Sequence, residues 1–251
     1  MIKINETFKN QIVSSFKGNF VIALFISLIT VLAFFVGSLS TKVSMYQDGV
    51  LSANTKNAEN TDTAKVKPDL AKPSDKDHTY GNKNANVALV VYTDFTCPYC
   101  RTFHETATAF IDQSQDKVKL VIRHFPLAQL HPNAWKQAQA SECVFKQLGD
   151  EKFFEYIEKV FTATGKGNVD SASLKTLASE MSGIDQTAFD SCLDNDDTKG
   201  VITADYQTGQ KAGVNGTPGD FLYNVKTGDI TKLGGNVGAE ALKAASDAIA
   251  K

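Results

Sequence analysis

The chain has 251 residues, four cysteines, 42% hydrophobic content and a formal charge of −2. That length holds one medium-sized domain with appendages rather than two large domains, and so even a charge balance carries no basic footprint for nucleic acid.

No residue between Lys17 and Lys42 is charged, and residues 20–39 are almost wholly apolar. About 24 residues at ~1.5 Å rise reach about 36 Å, enough to cross ~30 Å of hydrocarbon. Residues 19–41 are therefore predicted to be a transmembrane helix. A cleaved secretory signal has a shorter apolar core of about 7–15 residues, although Ser38-Leu39-Ser40 can serve as a small-residue cleavage site. Length favours the anchor. Lys3, Lys9 and Lys17 precede the span while only Lys42 follows it closely, which places residues 1–18 in the cytoplasm and everything after about residue 42 outside. Either route exports the rest of the chain to a periplasmic or cell-wall space. Cysteines there are more naturally paired than free, because disulfides persist in oxidising compartments.

Residues 42–77 are rich in Asn, Thr, Ser, Lys, Asp and Ala, contain Pro68 and Pro73, and show no sustained apolar period. They read as a flexible linker, whose coil would average roughly 33 Å end to end. A domain is expected over residues 78–251. Its first strand, residues 87–93 (VALVVYT), is a continuous apolar and β-branched run, and residues 101–113 lack Gly and Pro and read as helix.

Cys97-Pro98-Tyr99-Cys100 falls at that strand-to-helix turn. Unpaired backbone amides and the positive end of the helix dipole favour an anion there, and Pro98 suits the first helical position because its missing amide hydrogen is not needed. The anion would be the Cys97 thiolate. Cys97 is expected to be the exposed nucleophile, and Cys100, one turn further in, the buried resolving thiol. Helix N-termini in such motifs lower a thiol from about 8.5 to about 3.5–7. The dipole alone supplies at most about 2 kcal/mol, so amide hydrogen bonds must carry the rest. The alternatives are an inert disulfide or half of a zinc site, but zinc needs two more close ligands and His104 is the only one at helical spacing. No metal is expected.

Residues 118–123 read as a second strand, parallel to the first, closing a βαβ unit. Helices follow over residues 133–148, 151–161, 171–181, 185–193 and 196–212, punctuated by glycines, with Asp150 and Asp170 as N-cap candidates. Residues 221–225 and 230–233 then form short strands about a Lys226-Thr-Gly-Asp229 turn, before a helix from 239 to the end. The aromatic residues of the helical stretch recur at helical spacing and are explained by core packing without a cofactor.

This order of elements is an α/β thioredoxin fold with an inserted helical domain at about 128–212. The segment from Tyr92 to His104, Arg123-His-Phe-Pro-Leu127 with His131-Pro132, Cys143, Phe189-Asp-Ser-Cys-Leu193 and Gly213-Val-Asn-Gly-Thr-Pro218 together resemble the DsbA-like thiol:disulfide oxidoreductases. The resemblance implies no cofactor beyond the redox-active disulfide. It also implies that Thr217-Pro218 is a cis bond facing Cys97 and Cys100 and that Thr217, Pro218, Pro98 and Tyr99 contact substrate. Cys143 and Cys192 are expected as a structural disulfide, since relatives often pair these positions. Gly219-Asp220-Phe221 departs from the β-branched or aromatic run of many relatives, so the strand is expected to start late. Asp94, His104 and Glu105 are candidates for tuning Cys100 or moving its proton, although a carboxylate at a strand end is more often solvated or a cap. His124 and His131 are read as packing or hydrogen-bonding residues.

The expected activity is oxidation of exported proteins with free thiols. A quinone-linked membrane oxidase is implied as recycling partner by family analogy alone. The runner-up is a reductase or isomerase kept reduced by a membrane donor. Such isomerases usually carry a dimerisation domain, none of which is offered here, and a monomer is expected. The reading from another class is a non-catalytic chaperone or metal-delivery module. Tyr99 places no cation beside Cys97, unlike the Pro-His of the best-known members. An intermediate potential is therefore expected, between about −270 mV and about −120 mV.

Overall fold

A computed structural model describes residues 68–251 of the chain. Its elements are β1 (His78–Tyr80), β2 (Val87–Thr93), α1 (Pro98–Gln113), β3 (Val118–His124), α2 (Ala134–Thr164), α3 (Ser171–Ser179), α4 (Gln186–Asp194), α5 (Lys199–Lys211), β4 (Gly219–Asn224), β5 (Ile230–Lys232) and α6 (Ala239–Ile249). The predicted segments 1–18 and 19–41, and the linker through residue 67, lie outside the described residues. Among the described residues, no helix is long and apolar enough to cross a membrane.

One sheet of order β1-β3-β2-β4-β5 forms the frame. β2 runs parallel to β3, with Val87 opposite Val118 and Thr93 opposite His124, and antiparallel to β4. Every β2 residue is buried because the strand is covered on both faces. Val87, Leu89 and Val91 enter one apolar cluster, with Phe103 and Ala107 of α1 and Leu242 of α6. Ala88, Val90 and Tyr92 enter another, with Phe125, Ala212 and Val214.

β4 begins at Gly219, earlier than the predicted 221. The glycine makes this start sterically open, since a Cβ there would lie 2.8 Å from Val214 Cγ1. The short edge strand β1 has no counterpart in the sequence reading, because three residues are too few to show a period. The predicted helices 133–148 and 151–161 merge into α2, interrupted only at Gly149, whose φ of 76° leaves the helical region. Asp170 does cap α3, accepting from the Ser173 amide at 2.9 Å. Asp150 does not act as the predicted cap: its carboxylate accepts from Lys83 Nζ at 2.7 Å and lies 3.5 Å from His78 Nδ1.

The packed structure also starts before residue 78. Leu70 is buried in the cluster around Tyr92, and the buried Arg123 guanidinium donates to the carbonyls of Ala71 and Lys72 and to the Asp77 carboxylate. A guanidinium taken out of water needs such partners, so residues 70–77, predicted as linker, belong to the domain. Cys143 of α2 and Cys192 of α4 are joined by a disulfide with a Cα separation of 6.0 Å, which ties two helices of the insertion together.

Candidate active site

β2 delivers the chain to α1 through residues 94–97, and this turn is fixed from three sides. Asp94 is buried, and its Oδ1 accepts from the Thr96 amide at 2.8 Å. Its Oδ2 accepts from the Leu127 amide at 2.8 Å and lies 2.9 Å from His131 Nδ1. Thr164 Oγ1 of the insertion donates to the Phe95 carbonyl at 2.9 Å, and Thr96 Oγ1 donates to Gln137 Oε1 at 2.7 Å. A carboxylate so occupied holds the loop in shape. His131 therefore has a hydrogen-bonding place in the site's frame.

Cys97 is the N-cap of α1, with Pro98 at its first position. The expectation of an exposed Cys97 is corrected: the residue is only 6% exposed, and Cys100 only 1%, whereas Tyr99 is 64% exposed. Both cysteines are free thiols. The peptide bond between Thr217 and Pro218 is cis, and Cys97 Sγ lies 3.5 Å from the Thr217 carbonyl oxygen. Beside them a cleft of about 400 Å³ is lined by Tyr99, Thr217, Pro218, Lys232, Gly235 and Asn236.

The two thiols have opposite acidities. A hydrogen bond from the Cys100 thiol, together with the Cys100 and Tyr99 amides and the Thr217 side chain, outweighs burial and lowers Cys97 to about 6. Burial, reinforced by the Cys97 charge, pushes Cys100 well above the usual thiol range. At neutral pH the pair is thus one thiolate and one thiol, the arrangement a nucleophile and a resolving partner need.

His104 and Glu105 are not brought into this arrangement. His104 turns toward the insertion, with Nε2 2.8 Å from Glu158 Oε1 and its ring 5.2 Å from that of Phe161. Glu105 lies exposed on the solvent side of α1. His124 is fully buried, its Nε2 2.9 Å from Glu142 Oε1, and the same oxygen lies 2.6 Å from His78 Nε2. These three residues place ligand-type atoms within 4.8 Å of one another, the one such group among the described residues, but the atoms already bond to each other amid Phe95, Phe145 and Phe153. Burial works against charge here, yet Asp150 and Glu142 raise His78 to about 9, while His124 and His78 lower Glu142 to about 2. Sequence reasoning missed His78 and Glu142, and noted Asp220 only as a departure from the strand pattern. Its available signal was a carboxylate inside an apolar run, as in Ser141-Glu142-Cys143-Val144 and Gly219-Asp220-Phe221-Leu222.

Solved structures share this fold. DsbA2 of Pseudomonas aeruginosa superposes with a TM-score of 0.63 at 27% identity, covering 71% of this chain and 97% of its own. BdbD of Bacillus subtilis superposes with a TM-score of 0.60 at 20% identity, over 72% of this chain and 97% of its own, a likeness of fold. In sequence, the chain is 28% identical over 169 residues to a Rickettsia conorii protein provisionally named protein-disulfide oxidoreductase RC0029, covering 64% of this chain and 58% of that one. It is also 30% identical over 158 residues to Na(+)/H(+) antiporter NhaA 1 of Mycolicibacterium vanbaalenii, covering 61% of this chain but 24% of the antiporter. The chain thus spans about a quarter of the antiporter and under two thirds of the Rickettsia protein. The family model described as Thioredoxin matches residues 73–232, well over half of the sequence, and the chain belongs to that family.

Proposed function

We propose that this protein is a thiol:disulfide oxidoreductase that donates a Cys97–Cys100 disulfide to exported proteins carrying free thiols. The observation that carries this reading is the acidity split: Cys97, at the start of α1 and 3.5 Å from the Thr217 carbonyl, is lowered to about 6 while Cys100 is raised. A substrate thiolate attacks Cys97, a mixed disulfide forms, and Cys100 is displaced; a second substrate thiol then releases Cys97. The low Cys97 pKa stabilises the reduced enzyme and so makes its disulfide the stronger oxidant. The backbone beside cis-Pro218 and the exposed Tyr99 would receive the extended substrate.

The apolar run at residues 19–41, with Lys3, Lys9 and Lys17 before it, supports a membrane anchor that leaves the domain outside. A membrane oxidase linked to quinone would restore the disulfide. The test uses the full chain, oxidised at Cys97 and Cys100, mixed with a reduced peptide containing two cysteines. One peptide disulfide should form for each enzyme disulfide lost, and equilibration against glutathione should give a potential between about −270 and −120 mV. A potential at or below the thioredoxin value would favour a reductase instead.

A further inference from the structure

Two cations near the thiols have no part in the exchange chemistry above. In the insertion, Lys136, Lys159 and Lys175 are each held by a carboxylate, at 2.6, 3.0 and 2.8 Å. Among the described residues, neither Arg101 nor Lys232 has a carboxylate within 4.0 Å. Each is nonetheless fixed in place. Arg101 stands one turn into α1 from Cys97, its amide donating to the Cys97 carbonyl at 3.2 Å, and residues at this spacing are neighbours on the helix surface. Its guanidinium lies over Gly165, where a Cβ would come 3.1 Å from Nη1. Gly165 caps the C-terminal end of α2, where unpaired carbonyls favour a cation. The same end of α2 reaches the turn before α1 through the hydrogen bond from Thr164 to the Phe95 carbonyl.

Lys232 is exposed, donates from Nζ to the Gly213 carbonyl at 2.8 Å and lies 5.7 Å over the Phe221 ring. It stands at the rim of the cleft beside Thr217 and Pro218. Apart from Tyr99, the other ionisable residue of that lining is Asp220, which is 1% exposed and which burial pushes toward its neutral form. The charge that the cleft turns to solvent is therefore positive. Lys232 opposes Phe221 in the β4–β5 ladder, three residues after Pro218, which is ~10 Å of strand. A substrate lying extended beside Thr217 and Pro218 covers that distance in about three residues. Resting on the thiol-exchange reading, we propose that Arg101 and Lys232 are specificity-determining residues that select substrates carrying Asp or Glu within about three residues of the reacting cysteine.

The two cations flank Cys97, one toward the insertion and the other at the cleft. A substrate carboxylate accepts a hydrogen bond from the Lys232 ammonium, which still has donors beyond the one given to Gly213, or from the Arg101 guanidinium. Each such exposed pair is modest in energy. Its larger effect is on encounter, since complementary charge beside a reactive group raises the association rate and does so less as salt increases. A basic segment meets only like charge at the same two positions.

The probe is a reduced peptide with two cysteines, made in three versions that carry Glu, Gln or Lys at about three positions from each cysteine. Its oxidation by the oxidised full chain is followed in stopped flow at low ionic strength and at ~0.5 M sodium chloride, where charges are screened within about 4 Å. Each rate is divided by that peptide's rate with hydroxyethyl disulfide, an uncharged oxidant, which removes the effect of the flanking charge on the peptide thiols themselves. On this scale the Glu peptide should react about fivefold faster than the Lys peptide at low salt, with the Gln peptide between them. The ratio should fall toward one at high salt, and in an Arg101→Gln/Lys232→Gln variant at low salt. The salt series uses the unmodified chain, so it decides the matter even where the variant does not fold. Equal normalised rates for the Glu and Lys peptides, or a preference that survives the double substitution, would overturn the proposal. Failure of the unmodified chain to oxidise any of the three peptides would instead overturn the oxidoreductase reading itself.

Discussion

Cys97 Sγ lies 3.5 Å from the Thr217 carbonyl oxygen, 120 residues along the chain and beside a cis peptide bond. Cys97 at the start of α1 and the backbone just before β4 thus form one surface. The central strand pair holds this surface, with Tyr92 opposite Gly219 in the ladder.

This arrangement separates the roles of the two thiols. Cys97→Ser should abolish exchange, because no sulfur remains for the substrate to attack. Cys100→Ser should accumulate mixed disulfides with substrate, seen as reducible adducts on non-reducing gels. Adducts of equal abundance in both variants would contradict the assignment of Cys97 as nucleophile.

The acidity of Cys97 can be read directly. Thiolate absorbance at 240 nm in the reduced full chain should titrate with a midpoint near 6. Thr217→Val should raise that midpoint, because the Thr217 side chain is one of the groups lowering it. A wild-type midpoint in the ordinary thiol range of ~8.5 would contradict the electrostatics of the α1 terminus.

The Cys143–Cys192 disulfide closes a loop with a sequence separation of 49. In the chain-entropy model its loss costs about 4 kcal/mol. A Cys143→Ala/Cys192→Ala variant should lower the urea midpoint accordingly while leaving the Cys97 titration in place. An unchanged midpoint would show that helix packing alone holds the insertion.

Stability should fall with rising pH through two groups, one a base and one an acid. His78 is raised to about 9 by Asp150 and Glu142 against burial, so its contribution is complete below the ordinary ~6.5 and is lost as pH rises through about 9. Asp220 is an acid raised by burial to about 7. The fold favours its protonated form, and stability falls as pH rises from ~4 through that value. Thermal denaturation should show Asp220→Asn stabilising the protein at pH 8 and neutral at pH 4. Glu142→Gln should destabilise it and shrink the loss between pH 6.5 and 9. The reverse order of effects would show that these groups titrate differently.

Local chemistry was legible in the residues themselves, while the Cys143–Cys192 pairing was expected only through the family resemblance. Pro98 after Cys97, the apolar run of β2 and the glycine interrupting residues 134–164 follow from backbone rules that act over a few residues. β1 has too few residues for any period, and its place is set by pairing with β3. His104 looked like a partner for the thiols because it lies one turn from Cys100. Its actual partner, Glu158, is 54 residues away. Asp94 makes the cap-like amide bonds considered for a strand-end carboxylate. Asp220 was visible as an odd residue after Pro218, but only the β2–β4 register shows which face it occupies.

The most direct test of the central claim is the redox state of Cys97 and Cys100 in acid-quenched cells expressing the full chain, read by alkylation with a mass-shifting maleimide. A disulfide donor predicts that these cysteines are mostly joined and resist alkylation until a reductant is added. Two freely alkylated thiols in most molecules would contradict it and assign the protein to the reducing or isomerising side of thiol exchange.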